Sequence, residues 1–264
     1  MSSRPAPRRL LLVIAGLVVA GGAAAFFLLR AGGEPYTQFT NGLEVAVQVT
    51  LTDASGDTTI VDVPARGRAG ADVADEQTVT IKTAAGVTLV DGKKAKFSPR
   101  DKRKERCHQY YNVVGSAAIL AEDVVYGIGI KGGGRLLSGQ VLTTVCHTWG
   151  FETAEPPKAI KTKEGNLGRN LTWIHYVGEG DWYVAIQSLL GQKPEMGDQD
   201  RIRAWNLAVA VSKADPENTR LASLGPAFKQ ACHDIVDMFK TGPLAGKAEQ
   251  DCLRNTRGLF PKAF

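Results

Sequence analysis

Residues 44–63 read EVAVQVTLTDASGDTTIVDV, and this stretch decides the architecture of the front half of the chain. Val45, Val47, Val49 and Leu51 alternate with Glu44, Ala46, Gln48 and Thr50, the period of two that a strand shows when one face is buried. Asp53 to Asp57, with Gly56 inside, supplies a turn, and 58–63 returns as a second strand. A second pair follows at 78–83 and 87–90, joined by Ala84, Ala85 and Gly86. Further β-rich stretches lie at 110–114, 119–130 and 136–147. Short strands separated by glycine-containing turns, with no helical pattern between them, predict an antiparallel β-sandwich over 41–177 rather than a βαβ fold.

Pro156 and Pro157 mark a break, followed by one more β-like pair around Ile160 and 171–177; after Gly178 the periodicity becomes helical. Asp181 is placed to cap a helix over 182–190, and Gly191 to stop it. Residues 200–213 read as a second helix, with Ile202, Trp205 and Val209 on one face. Asp215 and Pro216 predict a cap followed by proline at the first helical position. A third helical stretch then runs to Lys240 with a bend at Gly225 and Pro226, and Pro243 opens a fourth to about Thr256. Trp205, Val209, Phe228, Ile235 and Phe239 are expected in the core of this helical part, 178–264.

Ahead of both parts, Arg4, Arg8 and Arg9 precede an uncharged apolar run at 10–29, long enough to cross a bilayer as one helix. The basic end at 1–9 then stays cytoplasmic, 30–40 is a linker, and everything beyond is extracytoplasmic. The alternative is a cleaved signal peptide using Ala23 and Ala25; either way the rest is exported. The whole reads as an α+β protein: a single N-terminal transmembrane helix, an antiparallel β-sandwich and a small C-terminal α-helical bundle.

The chain holds 32 basic and 27 acidic residues, a formal charge of +5. Arg4, Arg8, Arg9 and Arg30 account for four of these charges and residues 1–30 hold no acid, so 28 bases against 27 acids leave +1 outside. That balance gives no general electrostatic case for nucleic acid. One local exception is the run Lys93, Lys94, Lys96, Arg100, Lys102, Arg103, Lys104 and Arg106, opposed by Asp101 and Glu105. It reads as a basic loop, either simply solvated or in contact with anionic headgroups or polymer.

The spacing of the strands from Asn41 through Thr88, with Val63, Pro64 and Gly67, is similar to the small PEGA-like β-sandwich modules of bacterial surface proteins. That resemblance implies a module that holds other domains away from the membrane or binds surface polymers. Trp205 to Asn218, an alanine-rich helix followed by Asp215, Pro216 and Asn218, looks like the join between two tetratricopeptide units. It implies tetratricopeptide-like helix packing and a surface for peptides. No second copy follows at a period of about 34 residues, so a bundle is expected rather than a solenoid.

Cys107, Cys146, Cys232 and Cys252 allow three pairings, and an even count in an exported chain favours disulfides. Pairing Cys107 with Cys146 and Cys232 with Cys252 gives each part its own staple. Three of these cysteines precede His108, His147 and His233, which raises metal binding or a Cys-His nucleophile as alternatives. Adjacent residues diverge on both strands and helices, so neither is expected. Gly127, Gly129 and Gly132 match a dinucleotide loop, but a further β-like run follows where a helix is needed, and a hairpin loop is the reading. Asn170, Leu171 and Thr172 form a glycosylation sequon.

With no catalytic motif and no cofactor expected, the leading function is a non-enzymatic, membrane-anchored envelope protein. The sandwich would be its spacer or polymer binder and the helical tail a protein-contact surface. Its partners would be the membrane and a protein or envelope polymer, not nucleic acid. The alternative is an exported hydrolase, thiol enzyme or metal-binding protein using His147, His175 or His233.

Overall fold

The computed structural model describes residues 37–98, 107–126, 133–146, 148–149, 169–192, 199–238 and 243–261. The apolar run at 10–29, the bases from Arg100 to Arg106, the glycines at 127–132, His147 and the Pro156–Pro157 break lie outside these residues, as does the expected linker up to residue 36; its remaining residues, from Thr37 on, are not linker but the first strand. No helix among the described residues is long and apolar enough to cross a membrane.

The protein is a mixed α+β structure. Twelve strands are described: β1 Thr37–Asn41, β2 Val47–Thr52, β3 Thr58–Val63, β4 Gly67–Ala71, β5 Asp75–Thr83, β6 Thr88–Phe97, β7 Cys107–Asn112, β8 Ile119–Tyr126, β9 Gly134–Leu136, β10 Leu142–Cys146, β11 Thr148–Trp149 and β12 Arg169–Tyr176. They form three four-stranded sheets, ordered β3-β2-β5-β6, β10-β7-β1-β4 and β11-β12-β8-β9. The first is the antiparallel sheet announced by residues 44–63. Val47, Val49 and Leu51 are buried on one face while Gln48 is exposed on the other.

Two pairings depart from the antiparallel expectation: β1 runs parallel to β7, and β11 parallel to β12. For β1 and β7 the cause lies in the connection. A parallel pair needs a long crossover, and the whole sheet of β2, β3, β5 and β6 lies between them in the chain. β1 and β4 went unread because Thr37–Asn41 and Gly67–Ala71 show no clean apolar alternation.

Five helices follow: α1 Trp182–Leu190, α2 Gln199–Ala214, α3 Thr219–Ala222, α4 Gly225–Met238 and α5 Pro243–Leu259. Asp181 caps α1 as expected, its side chain accepting a hydrogen bond from the Val184 N–H at 3.1 Å. Asp215 and Pro216 form a turn instead of a helix start; Asn218 caps the next helix, accepting from the Leu221 N–H at 3.1 Å. Gly225 and Pro226 open α4 rather than bend a longer helix, because proline at the first turn forfeits only an N–H that has no intrahelical partner anyway.

The inward face of α2 also differs from the reading by large residues. Ala204, Leu207, Ala208 and Val211 are buried, whereas Ile202 is 54% exposed and Trp205 and Val209 are only partly covered. Small alanines allow the close helix approach that tryptophan would prevent. They belong to one buried cluster with Trp182, Ile186 and Leu189 of α1, Phe228 of α4, Phe260, and Val47, Val49, Val79 and Ile81 of the antiparallel sheet.

Backbone contacts tie sheets to helices at the same place. The Trp182 N–H donates to the Gly42 carbonyl at 3.1 Å, and the Gly42 N–H donates to Ser116 Oγ at 2.9 Å. A Cβ on Gly42 would sit 2.1 Å from the backbone carbonyl oxygen of Ser116, so only glycine fits this joint.

Candidate functional site

Two places among the described residues bring charged and apolar side chains together across several elements. The first is a charged clamp beside the capped end of α1. Asp181 is fully buried; while Oδ1 caps the helix, Oδ2 lies 2.8 Å from Arg220 Nη1 and 3.5 Å from Arg66 Nη2. Both arginines also reach Glu44 Oε1 at 2.8 Å, and Asn218 Nδ2 donates to Glu44 Oε2 at 3.2 Å. The Arg220 guanidinium lies over the Tyr183 ring at 4.7 Å and the Trp182 ring at 5.5 Å from their centroids. Partial burial pushes the Glu44 carboxyl up, but hydrogen bonds from Arg66 and then Arg220, with their charges, outweigh it and hold the group below its ordinary value. The clamp joins the segment before β2, the β3–β4 turn, the start of α1 and α3. Its charges satisfy one another, which suits a structural joint better than a ligand site.

The second place is a cleft of about 170 Å³ among α1, α2, α4 and α5, lined chiefly by Leu190, Arg201, Ile202, Trp205, Phe228 and Cys252. Trp205 meets Phe228 edge to face at 6.0 Å, and Phe228 stacks on Phe260 at 5.1 Å, so the aromatic wall is fixed from behind. Arg201 is 8% exposed and its guanidinium lies 3.2 Å from Asp234. The Cys232–Cys252 disulfide, Cα atoms 5.6 Å apart, joins α4 to α5 at the cleft. His233 Nδ1 lies 2.8 Å from Glu249 Oε1 across the same two helices.

The pairing of Cys232 with Cys252 is therefore as expected. Cys107 is also disulfide-bonded, and its register partner across β7 and β10 is Cys146. Of the basic run, Lys93, Lys94 and Lys96 lie on strand β6 rather than in a loop, exposed on a sheet edge, with Lys94 Nζ 2.8 Å from Glu76. Arg100, Lys102, Arg103, Lys104 and Arg106 lie outside the described residues.

Among the histidines, His175 Nδ1 is 3.1 Å from the Tyr176 carbonyl and Nε2 3.5 Å from Glu122, with Trp173 stacked on the ring at 3.7 Å. Neither His175 nor His233 is placed against a serine hydroxyl or a free thiol by these contacts. Among the described residues, no group of three His, Cys, Asp or Glu is placed to hold a metal.

Neither the clamp nor the cleft was visible in the sequence. Glu44 and Arg220 are 176 positions apart, and exposed Ile202 carries the same pattern as a core residue. No family model, no curated protein and no solved structure matches this chain.

Proposed function

We propose that the protein is a membrane-anchored, extracytoplasmic binding module, the sheets acting as a spacer from the membrane and the helices presenting a contact surface for a polypeptide. The observation that carries the binding part is the cleft. It is lined by Trp205 and Phe228 and has a 54% exposed isoleucine at its mouth, with Arg201 buried behind and paired to Asp234, an apolar concavity of the kind that receives an apolar side chain of a partner segment. The basic end and apolar run at 1–29 support the anchor. The bonded cysteines Cys107, Cys232 and Cys252 support an oxidising compartment. The antiparallel sheet β3-β2-β5-β6 is what supports the spacer part of this reading.

Protease added outside intact cells or spheroplasts should digest the helical part; its protection would overturn the orientation. The binding reading is tested by capture from membranes with the full-length chain, wild type against Ile202→Glu. A charge at the mouth of the cleft should abolish capture of any partner that uses it without unfolding the protein, because Ile202 is largely exposed. Undiminished capture by this variant would reject the cleft as the contact.

A further inference from the structure

The two edges of the sheet β3-β2-β5-β6 are finished differently. β6 carries exposed Lys93, Lys94 and Lys96, and its ladder with β5 shifts register around Ile81. Charges and irregular pairing are the usual means of blunting an edge. β3, TTIVDV, has neither lysine nor proline. Five of its residues are β-branched, Asp62 is its one charge, and Ile60 stands 58% exposed.

The hydrogen-bonding direction of this edge follows from the adjoining turn. The Asp53 N–H donates to the Asp57 carbonyl at 3.0 Å, and these two residues continue the register in which Thr52 faces Thr58. Bonded and non-bonded pairs alternate along an antiparallel ladder. Leu51 with Thr59, Val49 with Val61 and Val47 with Val63 are then the bonded pairs. The N–H and C=O groups of Thr58, Ile60 and Asp62 are left pointing away from β2, toward the side on which no strand among the described residues pairs with β3.

We propose that β3 pairs antiparallel with β3 of a second copy of this chain, about a two-fold axis at Ile60. In that register Ile60 faces Ile60 of the second copy, and Thr58 of each copy faces Asp62 of the other. All these pairs are of the bonded kind, so every outward amide and carbonyl of Thr58, Ile60 and Asp62 finds a partner. The strand is self-complementary: the exposed isoleucines cover each other and no carboxylate opposes another. The lysine edge offers no such match. A single strand pair buries less than the roughly 1,200 Å² of a standard interface, so the dimer is weak and concentration-dependent.

Cysteine cross-linking of the full-length chain in detergent reads the register. Ile60→Cys should give a covalent dimer on a non-reducing gel, since facing residues of a bonded pair lie about 5.5 Å apart at Cα, within disulfide reach. Asp62→Cys, also at an exposed position, should not, because the two copies of position 62 stand about 13 Å apart along the strands. Sedimentation of the wild type should show mean mass rising with concentration, and Ile60→Lys should weaken association at least tenfold. Equal cross-linking at both positions, none at position 60, a concentration-independent monomer, or an Ile60→Lys variant that still associates would each overturn the proposal.

Discussion

Arg220→Ala is expected to destabilise the fold by about 3 kcal/mol, the cost of leaving a buried charge without its partner. Asp181 is fully buried and its Oδ2 has Arg220 Nη1 at 2.8 Å as its nearest cation. The remaining one, Arg66, is at 3.5 Å and 43% exposed. The lower end of the range for broken buried pairs applies because Arg220 itself is 36% exposed. Adding Asp181→Asn to Arg220→Ala should recover part of the loss, since the orphaned charge is then gone; a double variant no better than the single would refute the electrostatic account.

The same clamp sets part of the acid limit. The folded-state value of Glu44 lies below its ordinary 4.5, so its ionised form stabilises the fold above that pH and the contribution fades as pH falls through the folded value. Glu44→Gln should therefore flatten the loss of stability below pH 4.5 in denaturation curves.

Cys252→Ser is expected to lower stability by about 3 kcal/mol, the chain-entropy value for a loop of this length. The bond closes 20 positions between α4 and α5. Buried Cys232, 1% exposed, would be left as a thiol with Thr256 Oγ1 at 3.4 Å. If the sheets stood on their own staple they would be untouched by this loss. The buried cluster argues otherwise, because Phe228 and Phe260 lie in it with Val47, Val49, Val79 and Ile81. Far-ultraviolet dichroism and tryptophan fluorescence should then shift together in one transition. A separate helical transition, with the sheets unmoved, would show that the cluster does not couple them. Non-reducing peptide mapping of the wild type should join the Cys232 and Cys252 peptides; a free thiol at either would remove the premise.

What was legible in the sequence was local. Val47, Val49 and Leu51 declare their strand by a period of two, Asp53 to Asp57 their turn, and Asp181 its cap, because each depends on neighbours a few positions away. Cys232 and Cys252 sit on adjacent helices, so their pairing too was within reach of helical spacing. The inward face of α2 was misread because residue size alone favours Trp205 and Val209 for the core. Ala204 and Ala208 are inside, beside Leu207 and Val211, because small side chains let α2 approach its neighbours closely.

The sequence alone determined the antiparallel hairpins of β2 with β3 and β5 with β6 and the Asp181 cap, and it favoured the Cys232–Cys252 bridge. Only the tertiary structure decided that β1 lies parallel to β7, that Asp181 meets Arg66 and Arg220, and that Ile60 remains uncovered on an unguarded edge. Those outcomes depend on which distant surfaces meet, and the free energy of such contacts is set by geometry that no short window of residues contains.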